Sequence, residues 1–283
     1  MTIDDLVLHP STRRLVKKLS STLPQGLIID GPVGSGVMAV ARALAKHAGS
    51  PEFIIYAKKN VKGVPVVDLN DGKVIIDDIR LLYEQTRTKQ PGEHVYIIDT
   101  GAKSMMTGAQ NAFLKLLEEP RKGVHFIIAT HQFDQLLPTV VSRCQRLTLL
   151  PITDEQTNEF IDKLGINDQT KKTRLAFVGR GRPALIDHLA NDPDAYDARV
   201  KIMGDAKTLL GQDTYKKILV INAYRNSRAD ALTLIDDMNH QLQIIIRSQP
   251  SLDIARTIDK NLDTRQHIAA GGNIRMQLLG NVL

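Results

Sequence analysis

Tryptophan is absent from this chain, cysteine occurs once, and aromatic residues make up 4% of its 283 positions. The lone Cys144 excludes an internal disulfide framework and any multi-cysteine zinc site. The scarcity of aromatics argues against a base-stacking platform, so any nucleic-acid contact is expected to go to phosphates. No apolar run approaches the ~20 residues needed to span a bilayer. The opening Met1-Thr2-Ile3-Asp4-Asp5 is acidic and lacks the apolar stretch of a signal peptide. A cytoplasmic protein with no membrane partner is the expectation.

A 42% hydrophobic fraction is enough for a substantial core, and the length allows two or three domains. The net charge of +6 suits work near nucleic acid but is shared by many proteins that never touch it. Up to residue 150 near-continuous apolar runs alternate with helical stretches. The runs lie at 27–29, 53–56, 64–67, 95–98, 124–129 and 147–150. Unbroken apolar runs are what parallel strands buried on both faces require. Between two of them, Ala109, Ala112, Phe113, Leu116 and Leu117 form one helical stripe. Thr107 and Gln110 read as its capping box, and Pro120 as its end. An α/β core with a mostly parallel sheet follows.

After Pro151 the strand pattern stops. Thr153 and Gln156 read as a second capping box, opening a helix that runs to about Gly165. Helical periodicity returns at 171–178 and 184–189. Asn191-Asp192-Pro193-Asp194 reads as a linker. Beyond it the chain is expected to be all-helical, with breaks near Gly211, Pro250 and Gly271-Gly272. The predicted division is an α/β core over 1–150, a small helical lid over 151–192 and a helical domain over 193–283.

The most telling motif is Gly31-Pro32-Val33-Gly34-Ser35-Gly36-Val37-Met38, which has the spacing of the phosphate loop G-x-x-x-x-G-K-S/T between a strand and a helix. Valine stands where the loop has its phosphate-binding lysine. Methionine stands where it has a magnesium-binding hydroxyl, and a thioether is a poor ligand for a hard cation. A second motif, Val95-Tyr96-Ile97-Ile98-Asp99, has the form of a Walker B strand ending in its metal-binding aspartate. A plain buried strand ending in aspartate reads the same way when taken alone.

Longer strings are more specific. Asn111-Ala112-Phe113-Leu114-Lys115-Leu116-Leu117-Glu118-Glu119-Pro120 resembles the N-A-L-L-K-x-L-E-E-P string of clamp-loader AAA+ subunits. Phe126-Ile127-Ile128-Ala129-Thr130 resembles their sensor 1 strand. Leu137-Pro138-Thr139-Val140-Val141-Ser142-Arg143-Cys144 resembles their L-P-T-I-x-S-R-C segment. The resemblance covers about residues 20–150 and continues more weakly through the lid. It implies an AAA+ P-loop core, a lid and an all-helical oligomerisation collar. Asn273-Ile274-Arg275-Met276-Gln277-Leu278-Leu279 resembles the end of the collar helix, although an ordinary helical domain has the same pattern.

Within this family, motor subunits follow the Walker B aspartate with a glutamate that activates water. Here Thr100 takes that place, and a neutral hydroxyl is a weak base. Together with Val37 and Met38, this makes the chain resemble the delta-prime type of bacterial clamp-loader subunit more than the gamma/tau motors. The resemblance implies a stator in a hetero-oligomeric ring with gamma/tau-type and delta-type subunits, acting through the complex on a sliding clamp and primed DNA. Partner subunits would bind the ATP.

In the family the arginine of S-R-C reaches the γ-phosphate of a neighbour's ATP, and the resemblance implies that role for Arg143. A structural salt bridge is the plainer reading of the same residue. Gly31, Gly34, Ser35 and Gly36 form the degenerate loop, where weak or no nucleotide binding is expected. Asp99 is the relic Walker B residue and Thr130 the sensor 1 residue. Arg182, in Gly179-Arg180-Gly181-Arg182-Pro183-Ala184-Leu185, resembles sensor 2 and would face a nucleotide. A helix-start loop explains that string equally well. Cys144 reads as a small buried packing residue. The family's four-cysteine zinc module has no counterpart over 46–56, and no metal is expected. Lys58, Lys59, Lys62 and Lys73 read as a solvated basic face. Two rivals stay open: an active gamma/tau-like ATPase whose loop N–H groups still cradle an anion, and an AAA+ adaptor in another replication or repair assembly.

Overall fold

A computed structural model describes residues 2–87, 92–119 and 121–282. The chain divides into two compact units, one ending at Asp187 and the other starting at His188. The division falls inside a helix, a little before the linker read from the sequence.

The first unit opens with α1 (Pro10–Ser21), β1 (Gly26–Asp30) and α2 (Val37–His47). There follow β2 (Phe53–Tyr56), the hairpin strands β3 (Lys58–Val61) and β4 (Val64–Val67), α3 (Ile76–Arg87), β5 (His94–Asp99) and α4 (Thr107–Glu118). Then come β6 (Val124–Thr130), a 3-10 turn at Phe133–Gln135, α5 (Pro138–Val141) and β7 (Gln145–Thr148). The unit closes with α6 (Asp154–Lys163), α7 (Gln169–Gly179) and the start of α8 (Pro183–Asn191).

The main sheet has the order β2-β5-β6-β1-β7 with every pair parallel. Successive residues of its central strands face opposite layers, as the period of two demands. Leu27, Ile29, Val95, Ile97 and Ile127 join a core that includes Val40 and Leu44 of α2. Ile28, Tyr96, Ile98, Phe126 and Ile128 join a second core with Ile79 and Leu82 of α3 and Phe113 of α4. This explains the unbroken apolar runs: both faces are covered. Phe113 is fully buried and meets Phe126 edge to face, with ring centroids 5.3 Å apart. Phe113→Ala should therefore cost about 3–5 kcal/mol in urea unfolding; a loss below ~1 kcal/mol would contradict this packing.

Three expectations need correction. The 64–67 run is a strand, but it pairs antiparallel with β3 in a separate hairpin and is exposed along its length. Apolar content alone does not distinguish a buried strand from an exposed one. The 147–150 strand lies at Gln145–Thr148, in register with β1. Thr107 and Gln110 form no capping box: Met106 is the N-cap and makes no side-chain bond. The Gln110 side chain turns inward instead. It donates to Met105 O (2.9 Å) and Gln135 O (3.1 Å) and accepts from Leu137 N–H (2.6 Å). Pro120, expected to end α4, lies outside the described residues. The second capping box forms as read, with Thr153 and Gln156 exchanging bonds of 3.2 Å.

The lysine stretch is less free than expected. Lys58 pairs at 2.7 Å with the largely buried Asp78, and Lys59 pairs with Asp71 at 3.5 Å.

The second unit is helical: α9 (Pro193–Leu210), α10 (Thr214–Ala223), α11 (Arg228–Ser248), α12 (Leu252–Ala269) and α13 (Ile274–Val282). The expected linker shrinks to Asp192, whose side chain caps α9 at Ala195 N–H (3.0 Å). A break at 224–227, which the sequence reading lacks, ends in the N-cap Ser227. Leu234, Ile235 and Met238 of α11 pack with Leu209, Ile221, Ile268 and Leu278. Two polar devices are buried among them. Arg199 is bonded through both terminal nitrogens to Asp237, which is fully buried. Asn281 donates to Asn261, which donates to Asn239, each at 2.7 Å, linking α13, α12 and α11. No helix among the described residues is long and apolar enough to cross a membrane.

Candidate functional site: the phosphate loop and the Arg143 turn

The loop at 31–38 leaves the carboxyl end of β1, between β6 and β7, where open parallel sheets place their ligand crevices. Its turn needs glycine twice. Gly34 has φ of +86° and Gly36, the N-cap of α2, has φ of +91°; β-carbons are disfavoured at both. Space is also short, since a Cβ on Gly34 would lie 2.6 Å from the Leu185 Cβ.

The lid explains that contact. The Gly34 carbonyl accepts from the backbone N–H groups of Ala184 (3.0 Å) and Leu185 (3.2 Å), in the first turn of α8. On the other side, the His131 ring nitrogen Nδ1 lies 2.8 Å from Gly31 O. Two of the loop's carbonyls are thus tied to neighbouring elements. Ser35 Oγ is buried with no hydrogen-bond partner.

The positions that would hold nucleotide are filled differently. Val37 is 2% exposed and its side chain belongs to the core on the α1–α2 face of the sheet. Met38 packs against the same core. The adjoining cavity is about 230 Å³ and its wall includes Asp5 and Asp187. Ligand pockets ordinarily run to about 300–1,000 Å³. A hydrogen bond from Thr2 N–H, with another from its hydroxyl, holds the Asp5 carboxyl below the usual aspartate range, so it is anionic at neutral pH. An anionic ligand would find no lysine in the loop. These residues do not fit a magnesium–nucleoside triphosphate.

Asp99 and Thr130 end β5 and β6 at the same edge of the sheet. Thr100, fully buried, places its hydroxyl 3.0 Å from that of Thr130 and 3.2 Å from Ala129 O. The residues at the base and sensor 1 positions therefore bond to each other. Burial pushes the Asp99 carboxyl above the usual aspartate range, opposed by the Gly101 N–H bond (2.9 Å) and more weakly by His131 and Arg42. A raised folded-state pKa means that Asp99's stabilisation is full below the ordinary aspartate pKa. It is lost as pH rises through the raised value. Asp99→Asn should accordingly raise the unfolding midpoint at about pH 7, with the difference vanishing near pH 3. A mutant less stable at neutral pH would refute that balance.

Next to the loop, Asp30 is clamped by the Arg146 fork (Nε to Oδ1 2.9 Å, Nη2 to Oδ2 2.8 Å) and by the Thr148 hydroxyl at 2.9 Å. The guanidinium also stacks 3.4 Å above the Phe133 ring. Neither Arg146 nor His131 stood out in the sequence; Arg146 lies inside β7 and His131 directly follows β6. Arg182 turns back onto α7. It donates to Gly179 O and Val178 O at 3.0 Å each, with a long 3.5 Å approach to Val33 O at the loop's rim.

Arg143 lies elsewhere. Its turn follows α5 and precedes β7, which runs parallel to β1. A Cβ on Gly26, the first residue of β1, would lie 3.2 Å from Arg143 O and 2.8 Å from Cys144 Sγ. The turn therefore sits at the amino end of β1, while the loop leaves its carboxyl end, about 16 Å away for a five-residue parallel strand. The Arg143 side chain is partly exposed. Nη2 donates to Glu118 Oε1 at 2.6 Å and Nη1 to Thr139 O at 3.0 Å. Cys144 is half-buried rather than buried, and burial pushes its thiol up to about 11, which leaves it a poor nucleophile at neutral pH.

A parallel sheet of this order, a phosphate loop after its central strand and a helical lid define a P-loop AAA+ protein. A model of the family described as "DNA polymerase III, delta subunit" matches residues 11–153, and the chain belongs to that family. It is 27% identical over 198 residues to DNA polymerase III subunit delta' of Haemophilus influenzae, covering 63% of this chain and 60% of that protein. Over 239 residues it is 26% identical to the gamma/tau subunit of Mycoplasma genitalium, covering 76% of this chain and 39% of that one. Human replication factor C subunit 5 is 29% identical over 161 residues, covering 54% and 44% of the two chains. The matched part thus spans less than two thirds of each relative. In fold the chain is similar to a DNA polymerase III gamma subunit-related protein of Thermotoga maritima, with a TM-score of 0.50 and 18% identity over 96% of this chain and 97% of that one.

Proposed function

We propose that the chain is a non-catalytic subunit of a bacterial clamp loader. In this reading it supports ATP-dependent loading of a sliding clamp on primed DNA and presents Arg143 to ATP held by a neighbouring subunit. Its partners are gamma/tau-type and delta-type subunits in a hetero-oligomeric ring in the cytoplasm, with the second unit as the oligomerisation collar. It needs no nucleotide, zinc or other metal of its own.

The placement of Arg143 carries this reading. The guanidinium lies at the opposite end of the sheet from the chain's own loop, so whatever phosphate it serves belongs to another molecule. The loop supports the same conclusion from its side: Val37 sits in the core, Thr100 is tied to Thr130, and α8 closes on Gly34.

A second reading is a gamma/tau-like motor, favoured by similarity to gamma/tau subunits at nearly the same identity. Reconstitution separates the two. Mixed with gamma/tau-type and delta-type subunits of the same organism, the chain should enter a stable complex. That complex should load clamp only when the motor subunits hydrolyse ATP. Clamp loading by a complex in which this chain is the sole intact AAA+ subunit would refute the non-catalytic reading.

A further inference from the structure

The pair between Glu118 and Arg143 joins two segments that chemistry would not obviously bring together. Glu118 is the last residue of α4, and Arg143 stands in the turn after α5. The same helix grips this region at both ends. Near its start, Gln110 accepts from Leu137 N–H at 2.6 Å, and Leu137 is the N-cap of α5. At its finish, Glu118 accepts from Arg143 Nη2 at 2.6 Å. Both approaches to the Ser142-Arg143-Cys144 turn are therefore referenced to one rigid element.

The fork is only partly used. A guanidinium carries five N–H groups. Glu118 Oε1 takes one on Nη2 and Thr139 O takes one on Nη1. Among the described residues no further bond is made by Nε–H or by the second N–H on each terminal nitrogen, and these can meet an anion. The carboxylate and the carbonyl fix the plane of the fork without exhausting it. The side chains are 37% and 48% exposed, so the pair adds little to folding, on the order of 0.2–1 kcal/mol. Its consequence lies in orientation: an unrestrained arginine samples many rotamers, and a held one meets its phosphate at lower entropic cost.

We propose that Glu118 is a positioning residue for Arg143. It holds the guanidinium in the rotamer that a neighbouring subunit's terminal phosphate meets. This rests on the trans role of Arg143. The carboxylate touches no reacting atom, and its oxygen serves as a hydrogen-bond acceptor. Glutamine supplies the same acceptor without the charge, whereas alanine removes it.

The test measures kcat for ATP hydrolysis at the facing site alone, in single-turnover reactions of the DNA-bound reconstituted complex carrying Arg143→Ala, Glu118→Ala or Glu118→Gln, with complex yield and melting temperature of each. Glu118→Ala should lower kcat about 10-fold with KM for ATP unchanged, because the interaction matters in the transition state. Glu118→Gln should retain most of the rate. If Arg143→Ala lowers kcat while Glu118→Ala leaves it unchanged or raises it, positioning is wrong and the trans role stands. Equal losses in the alanine and glutamine variants, or a lower yield with normal kcat per complex, also overturn positioning. An unchanged rate in Arg143→Ala overturns the trans role and positioning together.

Discussion

Replacing Arg143 with alanine is expected to leave the chain folded and the complex assembled, while turnover at the facing ATP site falls about 10³-fold or more. Arginine fingers acting in trans supply roughly that factor, through a planar and permanently charged fork on the transferring phosphoryl group. Folding is spared because both members of the Arg143–Glu118 pair are substantially exposed, and such pairs are worth about 0.2–1 kcal/mol. The contrast is the informative part. A structural arginine would show the small stability change without the kinetic loss. Single-turnover hydrolysis at the neighbouring site measures it, since the other sites in a ring dilute the effect at steady state. A normal single-turnover rate in an intact complex would remove Arg143 from the mechanism.

Restoring the loop's lost residues should fail as a rescue and cost stability. The pair Val37→Lys, Met38→Thr recreates the motif in sequence. Yet Val37 is 2% exposed within the core formed with Val40, Leu44 and Ile127. An ammonium placed there is desolvated with no partner, or must drag its stem out of the core. A loss of roughly 2–4 kcal/mol in unfolding free energy is expected. ATP hydrolysis should not appear, because three other obstacles persist. Thr100 stands where the base would be, the first turn of α8 closes on Gly34 O, and the adjoining cavity is small, at about 230 Å³. Urea titration and an ATPase assay of the double variant check both halves. Turnover in a stable double variant would show that two side chains alone silence a competent motor.

Much of this was legible in the residues. Strands buried on both faces wrote themselves as unbroken apolar runs, and the glycines of the loop mark turns that the structure makes with positive φ at Gly34 and Gly36. Three kinds of feature were not legible. The exposed valines of β4 look in sequence like those of a core strand, because composition carries no information about which surface covers them. Gln110 matched the local capping pattern, but tertiary partners 25 and 27 residues away claimed its side chain. The partners of the loop, His131 and the start of α8, lie about 100 residues or more along the chain, and no local spacing rule reaches that far. Arg143 is a mixed case. The string around it implies a trans role through its resemblance to clamp-loader subunits, while the parallel register of β1 and β7 puts it at the end of the sheet away from its own loop.

On the proposed reading, this chain's own loop does no nucleotide chemistry. Equilibrium titration of the isolated chain with labelled ATP and ADP, paired with a turnover assay on the same sample, tests it most directly. No saturable binding in the micromolar range and no hydrolysis above the buffer rate is the predicted result. Micromolar binding accompanied by turnover would contradict the account and make the chain a motor.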